Sequence, residues 1–226
     1  HYYPPYFSEM EKLNLVGAQA ADVELLPRAV GVDELEQFGI RHVLDVRPAL
    51  AFAGAHLRGS LCMPLNMLSA FAGWFLQADD GLLIVADSSA QWREAVIQLQ
   101  RIGFDRVQGA LLNPVQPIAK GSAFRSIRLC DTSTVCQRLD DTKNPRTLLD
   151  VRGQDEVESV SIQGARHIYI GNLSEDCDEL DRDMPLTVMC GSGMRATIAA
   201  SWLLNQGFSD VEVYLGSPAA LNGGKY

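Results

Sequence analysis

The residues with the most chemistry in them stand six in a row, Cys190-Gly-Ser-Gly-Met-Arg195. Before them is an apolar run, Pro185-Leu-Thr-Val-Met189, that reads as a buried strand. After them, Ala196 to Asn205 carries Ile198, Ala199, Trp202 and Leu203 on one helical face. A cysteine therefore ends a strand, and a glycine-bearing loop leads straight into a helix. Gly191 and Gly193 let the backbone curl so that successive amides point inward. The helix start adds partial positive charge, and Arg195 adds a guanidinium. Such a cradle stabilises an anion, and the nearest anion is the Cys190 thiolate. A thiol of pKa ~8.5 is only about 3% ionised at pH 7. Lowered by two units, it is about three-quarters ionised, which makes a weak nucleophile a ready one.

The elements that must position this loop occur twice. Val43-Leu-Asp-Val-Arg47 is matched by Leu148-Leu-Asp-Val-Arg152 at an offset of 105, and Gly59 by Gly164. Ile102-Gly-Phe-Asp-Arg-Val107 is matched by Gln206-Gly-Phe-Ser-Asp-Val211 at an offset of 104. A solenoid has periods of about 20–50 residues, so this longer repeat reads as two copies of one domain. Asn113 to Ser122 holds two prolines and a glycine and no clear period. The boundary is expected there, giving domains at 1–115 and 123–226. In the second copy, Thr147–Val151, Pro185–Met189 and Val211–Leu215 read as strands. Ser133–Leu139 reads as a helix capped by Asp131 or Thr132, and Gly207 as a helix C-cap. In the first copy, Leu82–Val85 and Arg93–Arg101 are the matching strand and helix. Alternating strands and helices imply an α/β fold with a mainly parallel sheet in each copy.

Four motifs in order, Asp150-Val-Arg152, Ile162-Gln-Gly-Ala165, Cys190-Gly-Ser-Gly-Met-Arg195 and Gly207-Phe208, resemble the rhodanese family of sulfurtransferases. The resemblance covers nearly all of both halves. It implies two rhodanese-like domains, each a central five-stranded parallel sheet flanked by helices. It implies that Cys190 takes a sulfane sulfur from thiosulfate or a persulfide, holds it as a cysteine persulfide, and passes it to cyanide or a thiol. By the same match, the loop amides of Gly191, Ser192, Gly193, Met194 and Arg195 hold the persulfide, and Arg195 contacts the anionic donor. No cofactor is implied. Where the family often has Gly-His before the Ile-x-Gly-Ala element, this chain has Val160 and Ser161. The first copy departs further. Its loop reads Ala86-Asp-Ser-Ser-Ala-Gln91, so the cysteine slot falls on Ala86 or Asp87 and the arginine slot on Gln91 or Trp92. That copy looks like a pseudo-rhodanese. Pro4-Pro-Tyr-Phe7 and Met10-Glu-Lys-Leu-Asn14 are similar to the segment that follows the metal domain in certain bacterial fusions. Those join a metallo-β-lactamase-fold, persulfide dioxygenase-like domain to a silent and then an active rhodanese. Such a domain in a longer chain is the implied partner.

Composition narrows the alternatives. There are 28 Asp+Glu against 19 Lys+Arg, a net of −9, which disfavours binding to a phosphate backbone. No apolar run approaches the ~18–20 residues of a membrane span, and the N-terminus does not read as a signal peptide. Five cysteines at low density, with no C-x-x-C pair, argue for a reducing cytoplasm and against a disulfide framework or a zinc site. Cys62 reads as core, and Cys177 as an exposed loop thiol that could resolve a persulfide on Cys190. His56 and His167 lack metal-ligand spacing and read as structural. Asp45, Arg47, Asp150 and Arg152 read as pairs that fix the fold. Phe71 to Phe75 reads as core. Two rival readings stay open: a cysteine phosphatase or arsenate reductase on the same fold, and a non-catalytic interaction module. The spacing of four residues between Cys190 and Arg195 favours sulfur. Phosphatases of this broad type use five, and a shorter ring leaves room for one terminal sulfur rather than a tetrahedral phosphoryl group.

Overall fold

The structure, a computed structural model, describes residues 3, 6, 7, 10, 11, 15, 28–31, 42–114, 124–139, 141 and 143–223. Most of the opening segment, residues 115–122 of the expected linker and residue 123 lie outside the described residues. Contacts divide the chain into two units, His1–Phe52 with His56–Arg125, and Ala53–Ala55 with Ser126–Tyr226.

In the first unit the strands are β1 (Arg28–Ala29), β2 (His42–Asp45), β3 (His56–Leu57), β4 (Leu61–Cys62), β5 (Leu82–Ala86), β6 (Val107–Leu112) and β7 (Phe124–Arg125). Helices α1 (Ala49–Gly54), α2 (Leu68–Phe75) and α3 (Ser89–Arg101) run between them. Five strands form one sheet in the order β1-β6-β5-β2-β4, all parallel, while β3 and β7 pair antiparallel. All five residues of β5 are buried. That is why this strand is an unbroken apolar run and not an alternating one: a parallel strand at the centre of a sheet is covered on both faces.

The second unit holds β8 (Arg128–Cys130), α4 (Thr132–Leu139), β9 (Thr147–Asp150), α5 (Gln154–Ser159), β10 (Arg166–His167), α6 (Leu173–Asp176), β11 (Leu186–Met189), α7 (Met194–Asn205), β12 (Val211–Tyr214) and α8 (Pro218–Leu221). Its sheet runs β8-β12-β11-β9-β10, again all parallel. Numbered along the chain within each sheet, both follow the order 1-5-4-2-3. Asp131 caps α4, its Oδ1 accepting from the Thr134 amide at 2.8 Å. Under α4, Cys130, Val135, Leu148, Ile162, Met189 and Tyr214 close one core cluster.

Helix starts are where the structure departs from the sequence reading. Helix α3 begins at Ser89, four residues before Arg93, because Ser88 caps it and accepts from the Gln91 amide. Helix α7 begins at Met194, two residues before Ala196. The loop is therefore shorter than the motif, and Arg195 lies in the first turn of the helix.

Candidate functional site

Strand β11 is the middle strand of the second sheet, and β9 lies beside it. From β9 the chain passes to the β10 edge, and from β11 to β12 on the other side. The crevice at their carboxyl ends is thus a topological switch point, where open parallel sheets place their sites. Cys190 directly follows β11 there and is fully buried.

Two amides donate to its sulfur: Gly193 N–H to Cys190 Sγ at 3.1 Å and Ala196 N–H at 3.4 Å. The turn that aims the first of these needs a glycine. Gly193 has φ +83°, and a Cβ added to it would fall 2.6 Å from Leu215 Cδ2. Gly191 and Ser192 form the exposed crest of the loop. Of the five residues expected to line the cradle, Gly193 is one that supplies an amide to the sulfur. The other amide comes from Ala196, one position beyond them, because the helix starts early enough to turn its N–H inward.

Arg195 does not face the cysteine alone. Its guanidinium forks onto Glu156, Nη2 donating to Oε1 at 2.7 Å and Nη1 to Oε2. Glu156 Oε2 also accepts from the Gly153 amide at 3.1 Å and so caps the start of α5. Those bonds, Arg195's first among them, hold the Glu156 carboxyl down at about 2, against an ordinary 4.5. In return, Glu156 raises the pKa of Arg195, and the nearby Cys190 sulfur adds to the effect. A cation in the first turn of a helix calls for an anion, and Glu156 supplies it. Sequence reasoning missed this residue. The available signal was a glutamate three positions after a potential cap, the capping-box pattern.

Arg152 holds α5 in place. It grips Asp150 through Nε–Oδ1 at 2.9 Å and Nη2–Oδ2 at 2.6 Å, both side chains being almost fully buried. It also donates to Glu156 O at 3.2 Å and Val160 O at 2.7 Å, at the two ends of the helix turn. Val160, one of the positions that depart from the family pattern, serves here through its carbonyl. His167 meets Arg152 O at 2.8 Å through Nε2. Tyr169, half-buried, lies within the electrostatic reach of Arg195, Glu156 and Asp155; burial pushes its phenol up.

Of the other cysteines, Cys62, Cys130 and Cys177 are buried away from this loop and Cys136 is half-buried on α4. Cys177 is buried in a short 3-10 turn, Cys177–Glu179, rather than exposed, because Leu173 and Leu180 on either side of it are themselves core residues. Burial pushes the thiols of Cys62, Cys130 and Cys177 up, Cys130 to about 12, which keeps them protonated and unreactive near neutral pH. His56 stacks on Phe52 and bonds to the Phe52 carbonyl at 2.9 Å. Phe71, Trp74 and Phe75 on α2 are half-buried. Among the described residues no group of three or more His, Cys, Asp or Glu side chains is placed to hold a metal ion, and no helix is long and apolar enough to cross a membrane.

A family model of the rhodanese-like domain matches residues 132–221, within the second unit. The chain is similar to YtwF of Bacillus subtilis, 39% identical over 66 residues, 29% of this chain and 64% of the relative's length. It is similar to the thiosulfate sulfurtransferase GlpE of Coxiella burnetii, 32% identical over 74 residues, 33% of this chain and 69% of that one. Among solved structures it is similar to a rhodanese-related protein from Thermoplasma volcanium, with 26% identity, 44% of this chain and 94% of the other covered, and a TM-score of 0.38. With the Coxiella relative matched over more than two thirds of its length and the family model set over the loop of Cys190, the chain belongs to the rhodanese-like family.

Proposed function

We propose that this protein is a sulfurtransferase that carries sulfane sulfur on Cys190. The observation that carries the reading is the convergence of the Gly193 and Ala196 amides on the Cys190 sulfur at the start of α7. Those donors stabilise negative charge on the sulfur before reaction and on the persulfide after it. With thiosulfate, the thiolate attacks the outer sulfur, the S–S bond breaks, and sulfite leaves with the electron pair. Cys190 is then a persulfide anion. An acceptor thiolate or cyanide attacks the terminal sulfur, takes it, and returns Cys190 as the thiolate. With an alkyl persulfide as donor, a thiolate leaves in place of sulfite. Neither leaving group needs a general acid.

In this reading the first unit is a second, silent rhodanese-like domain. Its support is the shared 1-5-4-2-3 strand order. The sheet registers align the two loops: Asp45 lies opposite Val85, and Asp150 opposite Met189. Ala86 therefore stands where Cys190 does, and Gln91 where Arg195 does. A metallo-β-lactamase-fold domain in a longer chain is the partner proposed for this pair, on the resemblance of Pro4–Phe7 and Met10–Asn14 alone, and the cytoplasm its proposed location.

Intact mass after incubation with thiosulfate or a small alkyl persulfide tests the reading. The expected result is a gain of one sulfur atom, localised to Cys190 and removed by cyanide. Turnover of p-nitrophenyl phosphate faster than sulfur transfer would overturn it in favour of a phosphatase.

A further inference from the structure

The mouth above Cys190 holds a cation whose charge is already taken. A Cβ placed on Gly191, at the loop crest, would lie 3.5 Å from Arg195 Nη2 and 3.8 Å from Glu156 Oε1. The ion pair therefore borders the opening to the sulfur. Arg195 presents both terminal nitrogens of its fork to one carboxylate. Glu156 cannot easily leave, since the Gly153 amide holds the same carboxylate from behind and Arg152 ties down the Glu156 carbonyl. Asp155, exposed on the preceding position of α5, adds a second negative charge near Tyr169 and Arg195. The formal charge of Arg195, Glu156 and Asp155 together is negative.

A doubly charged donor meets this rim at a disadvantage. To use Arg195 it must displace Glu156 from a two-pronged, charge-assisted contact, and it must then sit beside the freed carboxylate. A donor whose sulfane sulfur hangs from a carbon chain, neutral or singly charged at the reacting end, needs no such displacement. The backbone hydrogen bonds to the sulfur come from the amides of Gly193 and Ala196, while Arg195, which also lies within electrostatic reach of that sulfur, gives both terminal nitrogens to Glu156.

Building on the sulfurtransferase reading, we propose that Glu156 is a specificity-determining positioning residue: by occupying Arg195 it selects alkyl persulfides over thiosulfate as the sulfur donor. The Glu156 carboxylate bonds to Arg195 and the Gly153 amide and not to the Cys190 sulfur; it acts through Arg195.

The test separates binding from turnover. Glu156→Gln removes the charge but keeps an amide oxygen that can cap Gly153, because glutamine serves a capping box as glutamate does. Glu158→Gln, on the exposed side of the same helix where Glu158 meets Gln154, controls for a change in general charge. Thiosulfate binding is measured by calorimetry on the full chain carrying Cys190→Ser, with and without Glu156→Gln. The second change is expected to tighten binding roughly tenfold, in the range of a charge-assisted contact released, and Glu158→Gln to leave it unchanged. With Cys190 intact, Glu156→Gln is expected to raise kcat/KM for thiosulfate relative to an alkyl persulfide by a similar factor, through KM. Unchanged or weaker thiosulfate binding, no detectable binding in either protein, or equal effects on both donors overturns the proposal. Should Cys190 gain no sulfur from either donor, the sulfurtransferase reading falls, while the calorimetric comparison still decides what Glu156 does to anion binding.

Discussion

The turns after β5 and β11 leave the middle strands of two sheets with one strand order, and they differ in what fills them. After β11 the turn closes around a thiol, with two amides on the sulfur. After β5 the aligned residue is Ala86, and the turn closes around a glutamine. Gln91 Oε1 accepts from the Asp87 amide at 2.8 Å, and its Nε2 donates to the Val46 carbonyl at 3.3 Å. Gln91 stands at the Arg195 position. The residue aligned with Glu156 is Ala51, so the arginine and its carboxylate partner are both missing from the first unit. The frame beneath is unchanged. Arg47 grips Asp45 with Nε–Oδ1 at 2.9 Å and Nη2–Oδ2 at 2.7 Å, close to the 2.9 and 2.6 Å of Arg152 and Asp150. The buried Asp–Arg pair therefore belongs to the fold, since it persists where the thiol is gone. The Glu–Arg pair goes with the cysteine.

Replacing the sulfur that only the turn after β11 carries has the largest consequence. Cys190→Ser is expected to abolish sulfur transfer, because a hydroxyl in the same cradle is not ionised near neutral pH. Intact mass should show no added sulfur anywhere in the chain, and persistent turnover would mean another thiol carries the reaction.

Asp45→Asn and Asp150→Asn each leave a buried arginine without its counter-charge, at a cost of about 3 kcal/mol. Urea unfolding should show similar losses in the two units. Asp150→Asn alone should also slow sulfur transfer, because Arg152 holds the helix that bears Glu156. Equal activity in the two variants would sever that link.

Gly193→Ala forces a side chain into left-handed backbone and against Leu215. A loss of about 1–2 kcal/mol is expected from the backbone alone, along with a drop in kcat as the amide swings off the sulfur. Gln91→Ala should cost less, about 1 kcal/mol for two partly exposed hydrogen bonds, with no change in sulfur transfer. An effect on transfer would show that the filled turn of the first unit bears on the other.

The smallest effect is on acid stability. Glu156 titrates at about 2 in the folded chain against an ordinary 4.5. A depressed folded pKa contributes stability that is complete above the unfolded value and lost as pH falls through the folded one. Wild type should therefore exceed Glu156→Gln in stability above about pH 5, and the difference should vanish between about pH 4.5 and 2. The carboxylate is more than a third exposed, so solvent screening keeps the difference below about 1 kcal/mol. Parallel curves down to pH 2 would remove Glu156 from the acid limb.

The strands and the cysteine loop were legible because buried parallel strands are written as short apolar runs. Leu82–Ala86 and Leu186–Met189 could hardly be anything else. Helix starts were less legible. Ser88 and Gly193 set them by a side-chain cap and a positive φ, and neither changes the hydrophobic period that marks the helix body. The paired Val43–Arg47 and Leu148–Arg152 pointed to a repeat, but sequence alone left the position aligned with Cys190 between Ala86 and Asp87. The register of Asp45 opposite Val85 chooses Ala86. Glu156 was not legible as a site residue because it is 39 positions from Arg195, and only the adjacency of β9 and β11 brings the two together. Cys177 looked exposed because acidic residues surround it in sequence, whereas its own side chain turns inward.

The complete burial of Cys190 has a bearing on what the protein can keep. A sulfur atom added to this thiol would spend its waiting time beside the Gly193 and Ala196 amides and the Arg195–Glu156 pair, away from the bulk water where peroxides and stray thiols circulate. Encounter with such species would then be rationed by the width of the mouth and not by their concentration alone. The cradle in that case acts as a vault as much as a reactor, and the lifetime of the stored sulfur becomes a property of the protein's shape.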